Sequence, residues 1–286
     1  MSVEHPCTIA AFDVGGTKMA GALVRYSAAD AAPTVDALRS VPTEAQRGGS
    51  AVLDTLASLV ADVVADAEDD VVGIGVGTAG LVDVRTGGIA FANELMPGWT
   101  GQPVAERLSA SLGLPVAVLN DVKAHALGEA RWGAARGAQT CFVIAAGTGL
   151  GGGIVANGRV LLGAHGFAGE LGRTPCPDAL GTPRACGTAS ELESIAAGSG
   201  IEARYVAAGG ERLAGDEIAR RAADGEELAR RIILEAGAVL GEAIATWTDL
   251  HLLDPGNLSC SQARYATPEK PGEPPCKKAS SDRRLP

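Results

Sequence analysis

The hydrophobic pattern changes period several times along the chain. Residues 8–14 form a continuous apolar run that reads as a strand, with residues 19–24 as its hairpin partner across Gly15-Gly16. Residues 35–41 read as a further strand. From 51 to about 67, Leu53, Leu56, Leu59, Val60 and Val63 recur at the three- and four-residue spacing of one helix face, with Ser50 placed to cap it. Residues 71–77 are apolar enough for a buried strand, followed by a Thr78-Ala79-Gly80 turn and a short hairpin over 81–93. The spacing then predicts a helix over 104–112, a strand over 116–119 ending at Asn120-Asp121, and a long helix over 122–132. Strands alternating with helices point to α/β layering.

The second half repeats this opening. A strand over 141–146 runs into a glycine turn, a strand over 154–156, an Asn157-Gly158 hairpin turn and a strand over 160–162. After an irregular stretch (163–187) the pattern predicts helices near 189–197, 215–223 and 226–249. The last carries Leu228, Ile232, Ile233, Ala236, Leu240, Ile244 and Trp247 along one face. Two related α/β domains around a cleft are expected, 1–121 and 122–255. Residues 256–286 break character: five prolines, few large apolar residues and a net charge of +3 in a chain whose total is −10. They read as a disordered tail.

Composition narrows the function classes. Apolar residues make up 46% of the 286, yet only 3% are aromatic, so the core must be built from Val, Leu, Ile and Ala. The charge of −10 argues against a nucleic-acid surface, which needs a basic patch. No apolar run is long enough to span a membrane, and the N-terminus lacks the apolar core of a signal peptide, so a cytoplasmic protein is expected. Cys7, Cys141, Cys176, Cys186, Cys260 and Cys276 have no regular pairing, which suits reduced thiols.

The candidate chemistry lies in two glycine turns. Residues 145–153, A-A-G-T-G-L-G-G-G, follow a strand, and residues 10–18, A-A-F-D-V-G-G-T-K, are a near-echo. Glycines leave no side chain between an anion and the backbone and permit the positive φ that turns N–H groups inward. Each alone could be a ligand-free hairpin; together they look like two halves of a phosphate clamp. Neither matches the P-loop or the dinucleotide-binding pattern. Asn120-Asp121 can be a helix cap, or the aspartate can accept the proton of an attacking hydroxyl at a strand end. Asp13 can be a turn former or can hold Mg²⁺ through water.

Five segments taken together carry a family resemblance: D-V-G-G-T-K (13–18), G-V-G-T-A-G-L-V-D (75–83), N-D-V-K-A-H-A-L-G-E-A (120–130), G-T-G-L-G-G-G-I-V (147–155) and G-E-L-G (169–172). In order and spacing they resemble the ROK-family sugar kinases, over about residues 7–255. The resemblance implies the actin/hexokinase/Hsp70-like ATPase fold and ATP- and Mg²⁺-dependent phosphorylation of a hexose or N-acetylhexosamine at its 6-hydroxyl. It implies Asp121 as base, and Asn93, Asn120, Glu170 and Glu193 as sugar contacts. It further implies Asp13 on the metal side, and Gly15, Gly16, Thr17, Lys18, Gly147, Thr148 and Gly149 as ATP contacts. A homodimer is also expected.

Three departures from the family accompany it. Arg173 stands where the family has a histidine that touches the sugar and ligates zinc. The cysteine cluster has become A-C-G-T-A-S-E-L-E across 185–193, and one thiol cannot build a tetrahedral site, so no structural zinc is expected. After Leu252-Leu253-Asp254-Pro255 the family's next strand, glycine turn and closing helix are expected to be missing, replaced by the tail. ATP should then bind weakly through its phosphates while sugar affinity is kept, and a sugar-binding protein with little turnover is the alternative to a working kinase. The family's repressors carry a DNA-binding segment ahead of this region, and with twelve residues before Asp13 a repressor is not the expected reading.

Overall fold

The computed structural model describes residues 6–27, 32–176, 191–250 and 258–260. The chain divides into two compact units, Met1–Ala124 with Leu162–Phe167, and His125–Leu161 with Ala168–Pro286. The division falls three residues beyond the expected 121/122 boundary and returns a short later segment to the first unit.

In the first unit β1 (Cys7–Val14), β2 (Lys18–Tyr26) and β3 (Thr34–Pro42) form an antiparallel meander. On the other side of β1, β4 (Val71–Thr78) and then β7 (Val116–Asn120) add in parallel, giving the order β3-β2-β1-β4-β7. A small hairpin, β5 (Leu81–Asp83) with β6 (Gly88–Phe91), branches off after β4. Alternate residues of β1, namely Ala10, Phe12 and Val14, enter a core with Leu56, Val60 and Val63 of helix α1 (Gly49–Ala65) and Leu108 of helix α2 (Val104–Leu112). The helical spacing read from the sequence thus marks the buried face. Ser50 does not cap α1. Gly48, at φ 92°, holds that place, and Gly49 lies so close to Gly98 that a Cβ would sit 1.9 Å from its carbonyl oxygen. The helix starts where two backbones touch.

The second unit begins with β8 (Thr140–Ala146) and β9 (Leu150–Ala156), followed by the two-residue β10 (Arg159–Val160). Both faces of β8 are covered. Phe142 and Ile144 face a core with Leu192, Ile201, Ile232 and Trp247, while Cys141 and Val143 face Ala126 and Val155. Phe142 and Trp247 meet edge to face, with ring centroids 5.8 Å apart. Helices α3 (Asp121–Trp132), α4 (Glu193–Ala196), α5 (Gly198–Ala207), α6 (Gly215–Ala223) and α7 (Glu227–Leu250) complete the described elements, together with one strand late in the chain. α5 has no counterpart in the sequence reading: Gly198, Gly200 and mixed polarity hide its period. Gly200 is there because a Cβ would lie 2.5 Å from the Ser194 carbonyl oxygen.

Residues Leu258–Cys260 form that strand, β11, parallel to β8. This corrects the expectation that no strand follows Pro255. The order β10-β9-β8-β11 now repeats β3-β2-β1-β4: a hairpin-led meander with a parallel strand on the far side of its first member. Each unit therefore carries the same local topology. The rest of the expected tail (256–257 and 261–286), and residues 177–190, which include Cys186, lie outside the described residues.

Candidate active site

The first unit gathers its candidate residues at the C-terminal ends of β1, β4 and β7, where ligands collect on parallel strands. Register places Val14 opposite Thr78, and Thr78 opposite Asn120. Asp13 is the exposed penultimate residue of β1. Crowding by protein raises its carboxyl above the ordinary value, and the Lys18 ammonium acts in the opposite direction. The turn that follows is held from two sides. Gly15 N–H donates to the Lys18 carbonyl at 3.1 Å, Thr43 N–H donates to Thr17 O at 2.9 Å, and the Thr43 hydroxyl donates to Gly15 O at 2.6 Å. Thr43 is buried, while Thr17 and Lys18 are exposed. Sequence reasoning missed Thr43; its role exists only through the pairing of β2 with β3.

Asn120 and Asp121 are both a helix terminus and a polar site. The Asn120 side-chain oxygen accepts the Lys123 N–H at 3.1 Å, a cap of the first turn of α3. Its amide nitrogen donates to Gly80 O at 3.1 Å and to Asp121 Oδ1 at 2.9 Å. Asp121 Oδ1 also accepts the Val122 N–H at 2.9 Å. Two donors on one oxygen fix the plane of the Asp121 carboxylate. Both Asn120 amide hydrogens are thereby committed within the protein, which makes Asn120 first of all an orienting residue for Asp121.

Asn93 lies on a loop beside the first glycine turn: a Cβ on Gly16 would be 3.7 Å from Leu95 O. The loop lines a shallow cavity of about 300 Å³ with Glu94, Met96 and Pro97. Asn93 Oδ1 accepts the Leu95 N–H at 3.1 Å. The structure therefore brings Asp13, Gly15, Gly16, Thr17, Lys18, Asn93, Asn120 and Asp121 into one unit.

Gly147, Thr148, Gly149, Glu170 and Glu193 belong to the second. Here one expectation is corrected. The glycine run is not one loop: Leu150–Ala156 is strand β9, and the turn is confined to residues 147–149. None of Gly15, Gly16, Gly147, Gly149, Gly151, Gly152 or Gly153 adopts positive φ. Gly149 and Gly152 serve clearance instead, whereas a Cβ on Gly147 would meet nothing within 4 Å. A Cβ on Gly152 would lie 2.6 Å from Leu171 Cδ1, 2.8 Å from Gly169 O and 2.9 Å from Phe142 Cε2. Gly172 in turn abuts the Leu150 carbonyl, where a Cβ would come within 2.3 Å. The G-E-L-G segment is thus pressed backbone to backbone against β9, and that contact sets the position of Glu170. Glu193 Oε2 accepts the Leu150 N–H at 2.7 Å, tying this carboxylate to the end of the turn. The other side of the turn rests on α5: Ser199 donates to Thr148 O from its N–H at 3.2 Å and its hydroxyl at 2.7 Å, and Gly198 N–H donates to Gly147 O at 2.8 Å. The Thr148 side is exposed. Arg173 ends the 3-10 turn Leu171–Arg173 and is exposed as well.

A family model described as the ROK family matches residues 9–257. The chain belongs to the ROK family. Among its relatives, a glucokinase of Halalkalibacterium halodurans is 37% identical over 66% of this chain and 56% of that protein. An N-acetylmannosamine kinase of Shigella boydii is 35% identical over 83% and 77%. Among solved structures, the ROK hexokinase of Thermus thermophilus superposes with a TM-score of 0.75 at 30% identity, covering 90% of this chain and 82% of that one. A ROK family glucokinase of Streptomyces griseus in complex with glucose and AMPPNP gives 0.71 at 26%, over 88% and 82%. The ROK chain described here thus spans about half the length of the first of these relatives. Its fold is that of the actin/hexokinase-like ATPases. Among the described residues no helix is long and apolar enough to cross a membrane.

Proposed function

We propose that this ROK protein is a sugar kinase that transfers the γ-phosphoryl group of ATP to the 6-hydroxyl of a hexose such as glucose or an N-acetylhexosamine. The observation that carries the reading is the Asp121 carboxylate, clamped through Oδ1 by Asn120 and the Val122 N–H at the C-terminal end of β7, in the same sheet whose β1 ends in a Gly-Gly-Thr-Lys turn with Thr17 and Lys18 exposed. Phosphoryl transfer asks the protein mainly for positioning and charge stabilisation. Asp121 Oδ2 is the atom assigned to take the proton of the 6-hydroxyl as it attacks. Asn93, through its amide nitrogen, and Glu170 and Glu193, through carboxylate oxygens, hold the sugar hydroxyls. Lys18, Thr17 and Thr148, with the backbone of Gly15, Gly16, Gly147 and Gly149, hold the ATP phosphates. Asp13 fits the metal side, since Mg²⁺ takes few carboxylates and keeps its waters; the ion would neutralise phosphate charge. The pairing of β11 with β8 favours a working kinase over a protein that only binds sugar, because the second sheet is not left open beside β8.

An ADP-release assay over a panel of hexoses and N-acetylhexosamines tests the reading. Asp121→Asn keeps the shape and removes the proton acceptor, so kcat should fall about 10²–10⁴-fold with sugar affinity within a few fold. A variant with wild-type kcat would show that Asp121 is not the base.

A further inference from the structure

Trp99 is fully buried. Its indole N–H donates to the Thr78 hydroxyl at 3.1 Å, and Thr78 is fully buried too. The bond satisfies a buried N–H that apolar surroundings would leave unpaired. Its location gives it a second consequence. Thr78 ends β4, and its hydroxyl donates to the Ala79 carbonyl at 3.1 Å, while the Ala79 N–H donates to Val14 O at 3.0 Å. The next residue, Gly80, has φ 98° and leaves no room for a side chain, since a Cβ would lie 2.7 Å from Phe91 O. Its carbonyl takes the Asn120 amide that also holds Asp121. The Thr78-Ala79-Gly80 turn therefore links the end of β1, the indole and the aspartate. Trp99 itself is fixed: its backbone N–H donates to Met96 O at 3.1 Å, and the Met96 backbone N–H donates to Asn93 O at 3.0 Å.

We propose that Trp99 is a positioning residue for Asp121, acting through the Thr78 hydroxyl, the Thr78–Gly80 turn and Asn120. The inference rests on the sugar-kinase reading. It also assigns Thr78 a role beyond filling the strand end: the hydroxyl fixes the turn whose carbonyl orients Asn120.

Thr78→Val, which keeps the shape and loses the hydroxyl, tests it. Displacements near 1 Å can cost about 100-fold in rate; for a partial release we expect kcat to fall about tenfold with the sugar KM within about twofold. Thr78→Ser should restore kcat, and Trp99→Phe should lower it as Thr78→Val does. The double variant should lose no more than Thr78→Val alone, because that substitution already removes the bond that Trp99→Phe breaks, along with the bond to the Ala79 carbonyl. Melting curves choose an assay temperature at which every variant is folded. In parallel, the Asn120 side-chain amide protons, followed by NMR, should exchange faster with solvent in Thr78→Val than in wild type. Wild-type kcat in Thr78→Val overturns the proposal. So does a lost kcat with an unchanged Asn120 amide, or a failure of serine to rescue. A wild-type protein that phosphorylates no sugar overturns the kinase reading and this assignment together, whereas an active wild type with an indifferent Thr78→Val overturns this assignment alone.

Discussion

Replacing Asn120 by aspartate probes the contact on which the proposed base depends. The carboxylate keeps the acceptor that caps α3 through the Lys123 N–H at 3.1 Å. It replaces the amide nitrogen, 2.9 Å from Asp121 Oδ1 and 3.1 Å from Gly80 O, by an oxygen. Two donor–acceptor pairs become two acceptor–acceptor contacts, and a second negative charge sits beside the first. With charge centres about 4 Å apart and an effective dielectric constant of about 20, the repulsion is about 4 kcal/mol. Both residues are half-buried, and the solvent that still reaches them reduces it to roughly 1 kcal/mol. Each 1.4 kcal/mol is about tenfold in proton affinity. The sign follows from like charge disfavouring the ionised form: the pair holds a proton to higher pH than Asp121 alone. In Asn120→Asp, phosphorylation should therefore be lost at a higher pH on acidification than in wild type. It should return on the alkaline side, to a plateau lowered by the missing hydrogen bond. Asn120→Ala is the control. It forfeits the cap, about 1 kcal/mol of stability, and the hydrogen bond that favours ionised Asp121, but adds no charge, so its acid limb should move in the same direction as that of Asn120→Asp and by less. The pH dependence of kcat/KM in the ADP-release assay decides the matter. Coincident acid limbs for Asn120→Asp and wild type would refute the argument that this bond sets the state of the base.

Two further perturbations follow from the same geometry. The Asp13 carboxyl is raised by crowding, so its ionisation opposes folding; its contribution is favourable at acid pH and lost as pH rises through the folded-state value. Asp13→Asn should then melt at or above the wild-type temperature at neutral pH, with the gain fading at acid pH, while Mg²⁺-dependent turnover disappears; a lower melting temperature at neutral pH would contradict this. Gly152→Ala places a Cβ 2.6 Å from Leu171 Cδ1 and 2.8 Å from Gly169 O. We expect a loss of about 1–3 kcal/mol in denaturant titration and a raised sugar KM through Glu170, whereas an unchanged KM would show that the close packing of β9 does not set that residue.

Local pattern determined a good deal of this protein. The face of α1, the apolar runs of β1 and β8, the strand–helix boundary at Asn120-Asp121 and the two Gly-Thr turns are short-range features, readable because side-chain period and turn chemistry are local. The motifs in order also pointed to the ROK family, which the match over residues 9–257 shows. What tertiary structure decided was the purpose of the glycines and the partners of the polar residues. Gly152 and Gly172 are needed because β9 and residues 169–172 touch, a contact between segments that no spacing rule connects. The same holds for Gly49 against Gly98, which moved the start of α1 off Ser50. Thr43 and Trp99 carry no motif, and the 75–83 motif does not show what Thr78 bonds to; the bonds to Gly15 O and between Thr78 and Trp99 arise from strand register and burial. The strand at Leu258–Cys260 was illegible for a like reason. Three residues of modest apolar character form a strand only because β8 offers an unpaired edge on its far side, and a ladder partner is a property of the sheet rather than of the segment that joins it.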